Sequence, residues 1–164
     1  INKGYKCGIR DEWQIIPSQK LSDALFIRRN HLYPKLIINE ADVYTTDTMH
    51  RVNIKKDVNL DALVASYYNS LSLAFAEISG RSHGGGVLEL MPSEVENIML
   101  PYHDSNKNLV ETIDKMIRAN ESIDKILEIT NKKILIENYG FTEKEVQIAD
   151  RIWKKLSNRR LNRN

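Results

Sequence analysis

The spacing of the apolar residues changes at Leu60, and this change limits the folds open to the chain. Before Leu60, short apolar or β-branched runs are separated by turn residues, a pattern typical of strands. These runs cover residues 5–9, 13–16, 25–27, 36–38, 43–46 and 51–54. From Leu60 the apolar positions recur at helical spacing for about five turns, up to Gly80. The sequence therefore predicts a sheet region followed by one packed helix.

The segment from Gly84 to Pro101 predicts a short strand and one further helical turn. Three glycines precede an apolar run at 87–90, and Ser93 with Glu96 has the spacing of a capping box. Pro101 ends this part of the chain, because proline cannot continue a helix.

Beyond Pro101 the pattern is helical throughout. Apolar residues between 109 and 134 alternate four and three apart, as in a heptad seam, with Asn120 inside it. Asn120 either sets the register of one continuous helix or caps a second, shorter one, and we favour the broken helix. Gly140 ends this stretch, and Thr142 with Glu145 predicts a capping box for a last helix.

We therefore predict an α+β fold, with a mixed, mostly antiparallel sheet region and one packed helix, followed by a helical C-terminal arm. The predicted parts are residues 1–101 and 102–164. The apolar stripe of residues 105–140 packs either within the chain or on a partner, and packing within the chain is favoured.

Charge is distributed unevenly along the chain. The formal net charge is +2, but residues 1–60 carry +3, residues 61–140 carry −5 and residues 141–164 carry +4. Basic ends suit a protein that faces a polyanion, although a solvated surface gives the same excess. No apolar run approaches membrane-spanning length, so we expect a cytoplasmic protein with no membrane partner. The chain starts at Ile1 rather than Met, which leads us to expect further sequence before it.

The residues that catalysis or metal binding would need are missing from the pattern. The four histidines lack metal-ligand spacing, and Cys7 is the single cysteine. Gly84, Gly85 and Gly86 lead into a strand rather than a helix, so a tight turn or a close backbone approach is favoured over a phosphate cradle. Carboxylate pairs such as Glu94 with Glu96, or Asp61 with Glu77, are interpreted as solvated surface. We predict neither catalytic nor metal-binding residues.

The first sixty residues are instead rich in groups that suit base edges and phosphates. Arginine can donate two hydrogen bonds to guanine, asparagine can pair with adenine, and lysine binds phosphates. The candidates are Arg10, Trp13, Arg28, Arg29, His31, Lys35, Asn39 and His50.

Several segments resemble one family. They are YKCGIRDEW at 5–13, YPKLIIN at 33–39, TDTMH at 46–50, YNS at 68–70 and, most distinctively, GRSHGGGVLELMPSE at 80–94. Together they resemble the C-terminal target-recognition region of bacterial adenine-specific (N6) DNA methyltransferases from restriction-modification systems. The likeness continues into the residues from 139 to 160.

The resemblance implies that methylation and selection of the DNA site are carried out by different parts of the protein. In that family an N-terminal domain binds S-adenosylmethionine and methylates an adenine flipped out of double-stranded DNA, while the C-terminal region selects the site. This chain matches only the second part, so it is expected to need no cofactor and to be no enzyme alone, with the catalytic domain and DNA as its partners. The matching motifs add Thr46, Asp47, Arg81 and Ser82 to the DNA-binding candidates, and Arg51, with Arg28 and Arg29, is a candidate for reading bases.

Two alternatives use the same residues differently. A helical protein-interaction module built on the heptad seam would have no DNA role. A nuclease fragment would need an Asp and a Glu-x-Lys set on paired strands, which the sequence does not show. The sequence indicates neither the DNA site nor the oligomeric state.

Overall fold

The computed structural model describes residues 21–162 as two small sheets packed with helices. The elements, in chain order, are β1 (Ala24–Ile27), β2 (Arg29–Asn30), β3 (Leu36–Ile38), β4 (Met49–Val52), α1 (Leu60–Tyr67), α2 (Ser70–Ser79), β5 (Arg81–Ser82), β6 (Leu88–Glu89), α3 (Pro92–Val95), α4 (Val110–Arg118), α5 (Ile123–Thr130), a π-helical stretch (Asn131–Asn138) and α6 (Glu143–Leu161). Two 3-10 turns occupy Gly84–Gly86 and Asp104–Leu109. The predicted α+β class is confirmed.

Both sheets have three antiparallel strands, ordered β3-β1-β4 and β2-β6-β5. The predicted strands at 25–27, 36–38 and 87–90 correspond to β1, β3 and β6, and β4 begins two residues before the predicted 51–54. The predicted strands at 5–9 and 13–16 lie outside the described residues. No helix among residues 21–162 has the length and apolar character that crossing a bilayer requires.

The predicted strand at 43–46 is wrong, and Asn39 explains why. The Asn39 side chain accepts a hydrogen bond from the Val43 N–H at 3.0 Å and donates to the Val43 carbonyl at 3.1 Å. It therefore takes both backbone groups that a neighbouring strand would need, and the segment forms a loop with Val43 and Tyr44 exposed.

The predicted long helix from Leu60 is two helices, because the chain turns at Tyr68 and Asn69. Asn69 has extended dihedral angles, and its side chain caps α2 by accepting from the Ser72 N–H. The turn lets two consecutive tyrosines point into the core: the Tyr67 hydroxyl donates to the Pro34 carbonyl at 3.2 Å, and the Tyr68 hydroxyl donates to the Leu36 carbonyl at 2.8 Å. Burial raises the pKa of both hydroxyls, so both stay protonated donors.

The arm is broken, as predicted, and Asn120 marks the break. Asn120 has a φ of 56°, and the Glu121 N–H donates to the Met116 carbonyl, which closes α4 with a left-handed residue. Ser122 then caps α5. The predicted capping box of Thr142 and Glu145 starts α6, and the turn predicted from Ser93 and Glu96 instead begins at Met91, whose N–H donates to Glu94.

One hydrophobic core joins the sheet region to the arm. It includes Phe26 and Leu73 from the first part, and Ile113, Ile126 and Trp153 from beyond Pro101. The predicted packing of the arm within the chain is therefore confirmed. Helix α6 lies along α2, where the Ser70 hydroxyl contacts Asp150.

Arg160 connects α6 to the second sheet, β2-β6-β5. It forms a buried ion pair with Glu77, in which each side chain is only 2% exposed, and it donates to the carbonyls of His31, Leu32 and Gly86. Glu77 is thus part of a buried ion pair and not of the solvated surface that the sequence predicted. A Cβ on Gly86, whose φ is +72°, would lie 3.3 Å from His31 and Leu161, so the predicted close approach at the glycines is confirmed.

Candidate nucleic-acid interface

The sheet β2-β6-β5 places charged side chains in one row. Arg29 pairs with Glu89 across β2 and β6, and Arg81 pairs with Glu89 across β5 and β6. Residues directly opposite each other on neighbouring strands point to the same face of a sheet. Arg29, Glu89 and Arg81 therefore form a row across one face, with a carboxylate between two guanidinium groups.

Glu89 binds the side chains of two arginines and one histidine. Its Oε1 accepts from the Nε of Arg28 at 3.1 Å and from the Nε of Arg29 at 3.0 Å, and its Oε2 lies 3.0 Å from Nε2 of His83. The hydrogen bond from Arg29, and the charges of Arg28 and Arg29, lower the pKa of the Glu89 carboxyl, although its burial acts in the opposite direction. The carboxylate therefore stays ionised and holds the cations in place.

Glu94 holds Arg81 in a similar way. Its Oε1 accepts from the Nε of Arg81 at 2.7 Å, and its Oε2 accepts from the Met91 N–H at 2.8 Å. The Met91 hydrogen bond, followed by that of Arg81, lowers the pKa of the Glu94 carboxyl. One carboxylate thus caps α3 and orients an arginine of the neighbouring strand.

The arginines differ in what remains available to a ligand. The Arg28 side chain is 23% exposed and also contacts the Asp47 carbonyl and the Met91 sulfur. The side chains of Arg29 and Arg81 are 65% and 63% exposed, and each is bound only through Nε among residues 21–162. Arg29 and Arg81 therefore present their terminal nitrogens to solvent.

Several other sequence candidates have structural contacts. Asn39 is buried, and its side chain holds the loop to Val43. The Nε2 of His50 lies 2.6 Å from the Leu90 carbonyl, and Thr46 hydrogen-bonds Thr48. Lys35 lies over the Tyr33 ring at 5.4 Å. These four side chains therefore make contacts within the fold.

The remaining candidates are spread over the surface or lie outside the structure. Ser82 is exposed on β5 beside Arg81, and exposed His31 follows β2. Asp47 is exposed in the loop before β4 and Arg51 on β4 itself, in the other sheet. Arg10 and Trp13 lie outside the described residues.

Glu89 and Glu94 were not predicted as partners of the arginines. The available signal was Glu89 between Leu88 and Leu90, because a charge within an apolar strand needs an ionic partner when it is buried. The group of His, Cys, Asp and Glu side chains that a metal site requires is absent from residues 21–162.

We expect Glu89→Gln to reduce the dependence of stability on acid pH. Because the pKa of Glu89 is lower in the folded chain than in the unfolded chain, its contribution to stability is present above the unfolded value of about 4.3. That contribution disappears as the pH falls through the lower folded value. Urea unfolding at pH 7 and pH 3 should give a smaller loss of stability for Glu89→Gln than for the wild type. Substitution of exposed Glu96 by Gln is the control, and an equal loss in all three chains would contradict the expectation.

One family model matches the chain. It is described as the C-terminal domain of the type II methyltransferase M.Eco57I, and it matches residues 1–135. Neither the curated proteins nor the solved structures contain a match to this chain.

Proposed function

Since this chain belongs to the type II methyltransferase M.Eco57I C-terminal domain family, we propose that it is the target-recognition region of an adenine-N6 DNA methyltransferase of a bacterial restriction-modification system. It holds duplex DNA while a catalytic domain elsewhere in the protein transfers the methyl group. The observation that carries the proposal is the row of Arg29, Glu89 and Arg81, with two exposed guanidinium groups on one sheet face.

We propose that S-adenosylmethionine binds to the catalytic domain and not to this chain. A donor site needs a glycine-rich turn between a strand and a helix, but the turn Gly84–Gly86 lies between the strands β5 and β6. Its Gly86 carbonyl accepts a hydrogen bond from Arg160. This turn therefore does not have the form of such a donor site, and we propose that the chain alone has no catalytic activity.

The alternative of a helical interaction module has less support. It requires the heptad seam to be available to a partner, yet Ile113 and Leu127 of that seam are buried in the core of this chain. The seam is occupied within the fold.

Salt-dependent binding to random duplex DNA tests the proposal. We expect wild-type affinity to fall steeply with salt, because cations displace the ions condensed on phosphates. Substitution of both Arg29 and Arg81 by alanine should weaken binding by about tenfold and reduce the slope of log K against log salt by about 2.

The matched control removes two exposed cations from α4. Lys115 and Arg118 are each 72% exposed and each paired with a carboxylate four residues earlier, so their double alanine variant loses the same charge. That variant should bind like the wild type. An equal loss in both double variants would show a general charge effect, and no binding at about 50 mM salt would contradict an autonomous DNA-binding region.

A further inference from the structure

We infer that Arg29 and Arg81 read guanine bases, each aligned for that purpose by a carboxylate, Glu89 for Arg29 and Glu94 for Arg81. This inference rests on the proposed function and adds which bases the sheet recognises. Arg29 and Arg81 are specificity-determining residues in it, and Glu89 and Glu94 are positioning residues.

Each of the two guanidinium groups is held by a carboxylate. In both arginines a carboxylate oxygen binds Nε, at 3.0 Å in Arg29 and 2.7 Å in Arg81. A guanidinium group is planar, so a hydrogen bond at Nε restricts rotation about the end of the side chain. Both terminal nitrogens of each group have no hydrogen-bond partner within residues 21–162. Two parallel donors are thus presented in a restricted orientation.

Two parallel donors match one of the four bases in the major groove. In the major groove guanine offers two adjacent acceptors, O6 and N7. Adenine places a donor beside its acceptor, cytosine presents a donor, and thymine presents one acceptor beside a methyl group. Guanine is therefore the base that accepts both hydrogen bonds, and a group whose orientation is already restricted loses less side-chain entropy on binding it.

Arg28 also binds Glu89, but it differs from Arg29 and Arg81. Arg28 contacts Glu89, Met91 and the Asp47 carbonyl, and its side chain is 23% exposed. Its nitrogens are engaged within the fold, so it supports the row without reading a base. Arg29 and Arg81 differ from it in having both their terminal nitrogens and most of their side-chain surface available.

The sheet also sets the distance between Arg29 and Arg81. Arg29 and Arg81 lie on the outer strands of a three-stranded sheet, and neighbouring strands are about 4.8 Å apart, so the two backbones are separated by about 10 Å. The rise of DNA is about 3.4 Å per base pair, so this separation corresponds to about three base pairs. We expect two preferred guanines a few base pairs apart.

Selection from a random duplex library tests the inference with this chain. Wild-type protein should enrich sequences with guanine at two positions. Arg29→Lys should weaken the preference at one position, and Arg81→Lys at the other, because lysine keeps the charge but lacks both the planar pair of donors and the Nε that the carboxylate holds. Glu94→Gln should weaken the same position as Arg81→Lys, and Glu89→Gln the same position as Arg29→Lys.

A base analogue provides the second measurement. Replacing one selected guanine by 7-deazaguanine removes N7 and should reduce wild-type affinity about tenfold, while the matching lysine variant, whose ammonium is not held in a fixed orientation, should be less sensitive to that replacement. Both lysine substitutions lie at exposed positions, so the test does not depend on whether Glu89→Gln folds.

The outcomes separate the inference from the proposed function. Wild-type protein that binds DNA without a guanine preference, or lysine variants that lose affinity equally on all sequences, would overturn guanine reading and leave phosphate contacts as the role of these arginines. Wild-type protein that binds no duplex would overturn the proposed function and this inference with it.

Discussion

Arg160→Ala is expected to lower the free energy of unfolding by about 3–5 kcal/mol, because it leaves the buried Glu77 carboxylate without its cation. The Arg160 and Glu77 side chains are each 2% exposed, and two hydrogen bonds join them, at 2.6 and 3.1 Å. The substitution also deprives the carbonyls of His31, Leu32 and Gly86 of a donor. Urea unfolding of both chains at neutral pH measures the difference.

Arg159→Ala is the matched control, since Arg159 is the exposed neighbour of Arg160 on α6. It should change stability by less than about 0.5 kcal/mol. Replacing both Arg160 and Glu77 by methionine should cost less than the sum of the two single substitutions, because the double variant leaves no unpaired buried charge. A loss for Arg160→Ala as small as that for Arg159→Ala would contradict the expectation.

Asn69→Ala is expected to cost about 2–4 kcal/mol, since it removes a helix cap and leaves buried polar groups without partners. Asn69 is fully buried between α1 and α2. Its side chain accepts from the Ser72 N–H at 2.9 Å and donates to the Ser66 carbonyl at 2.7 Å and the Ser72 hydroxyl at 2.9 Å. Thermal and urea unfolding measure the loss.

Asn59 offers a close comparison, because it caps α1 through the same bond to a backbone N–H but is exposed to solvent. Asn59→Ala should cost about 1 kcal/mol, since water can replace the lost hydrogen bond. Equal losses at the two positions would show that burial of Asn69 adds nothing to its capping role.

Local signals in the sequence predicted much of the fold. Gly140, Thr142 and Glu145 mark a helix boundary through contacts within a few residues, and the structure confirms it. The break in the heptad pattern at Asn120 is of the same kind. These predictions succeed because both the residue and its partner lie in one short segment.

The errors involve partners that are distant in the sequence or side chains that compete with regular structure. Tyr68 and Asn69 lie inside the predicted helix, but burial of two consecutive tyrosines against Pro34 and Leu36 favours the turn. The binding candidates follow from residue type and from the motifs that resemble the family, and neither shows what each side chain contacts. The pairing of β2 with β6, which brings Arg29 to Glu89, joins residues 60 positions apart in the chain, so local patterns could not show it.

The contacts of Arg160 also bear on how the proposed recognition surface could be transplanted between related proteins. Helix α6 lies beyond the segment 1–135 that the family model matches, yet Arg160 binds the carbonyls next to β2 and before β6. A graft of the two arginine-bearing strands into a relative would lose this support unless Glu77 and α6 travelled with them. The unit of exchange is therefore the second sheet together with α2 and α6, and not the strands alone.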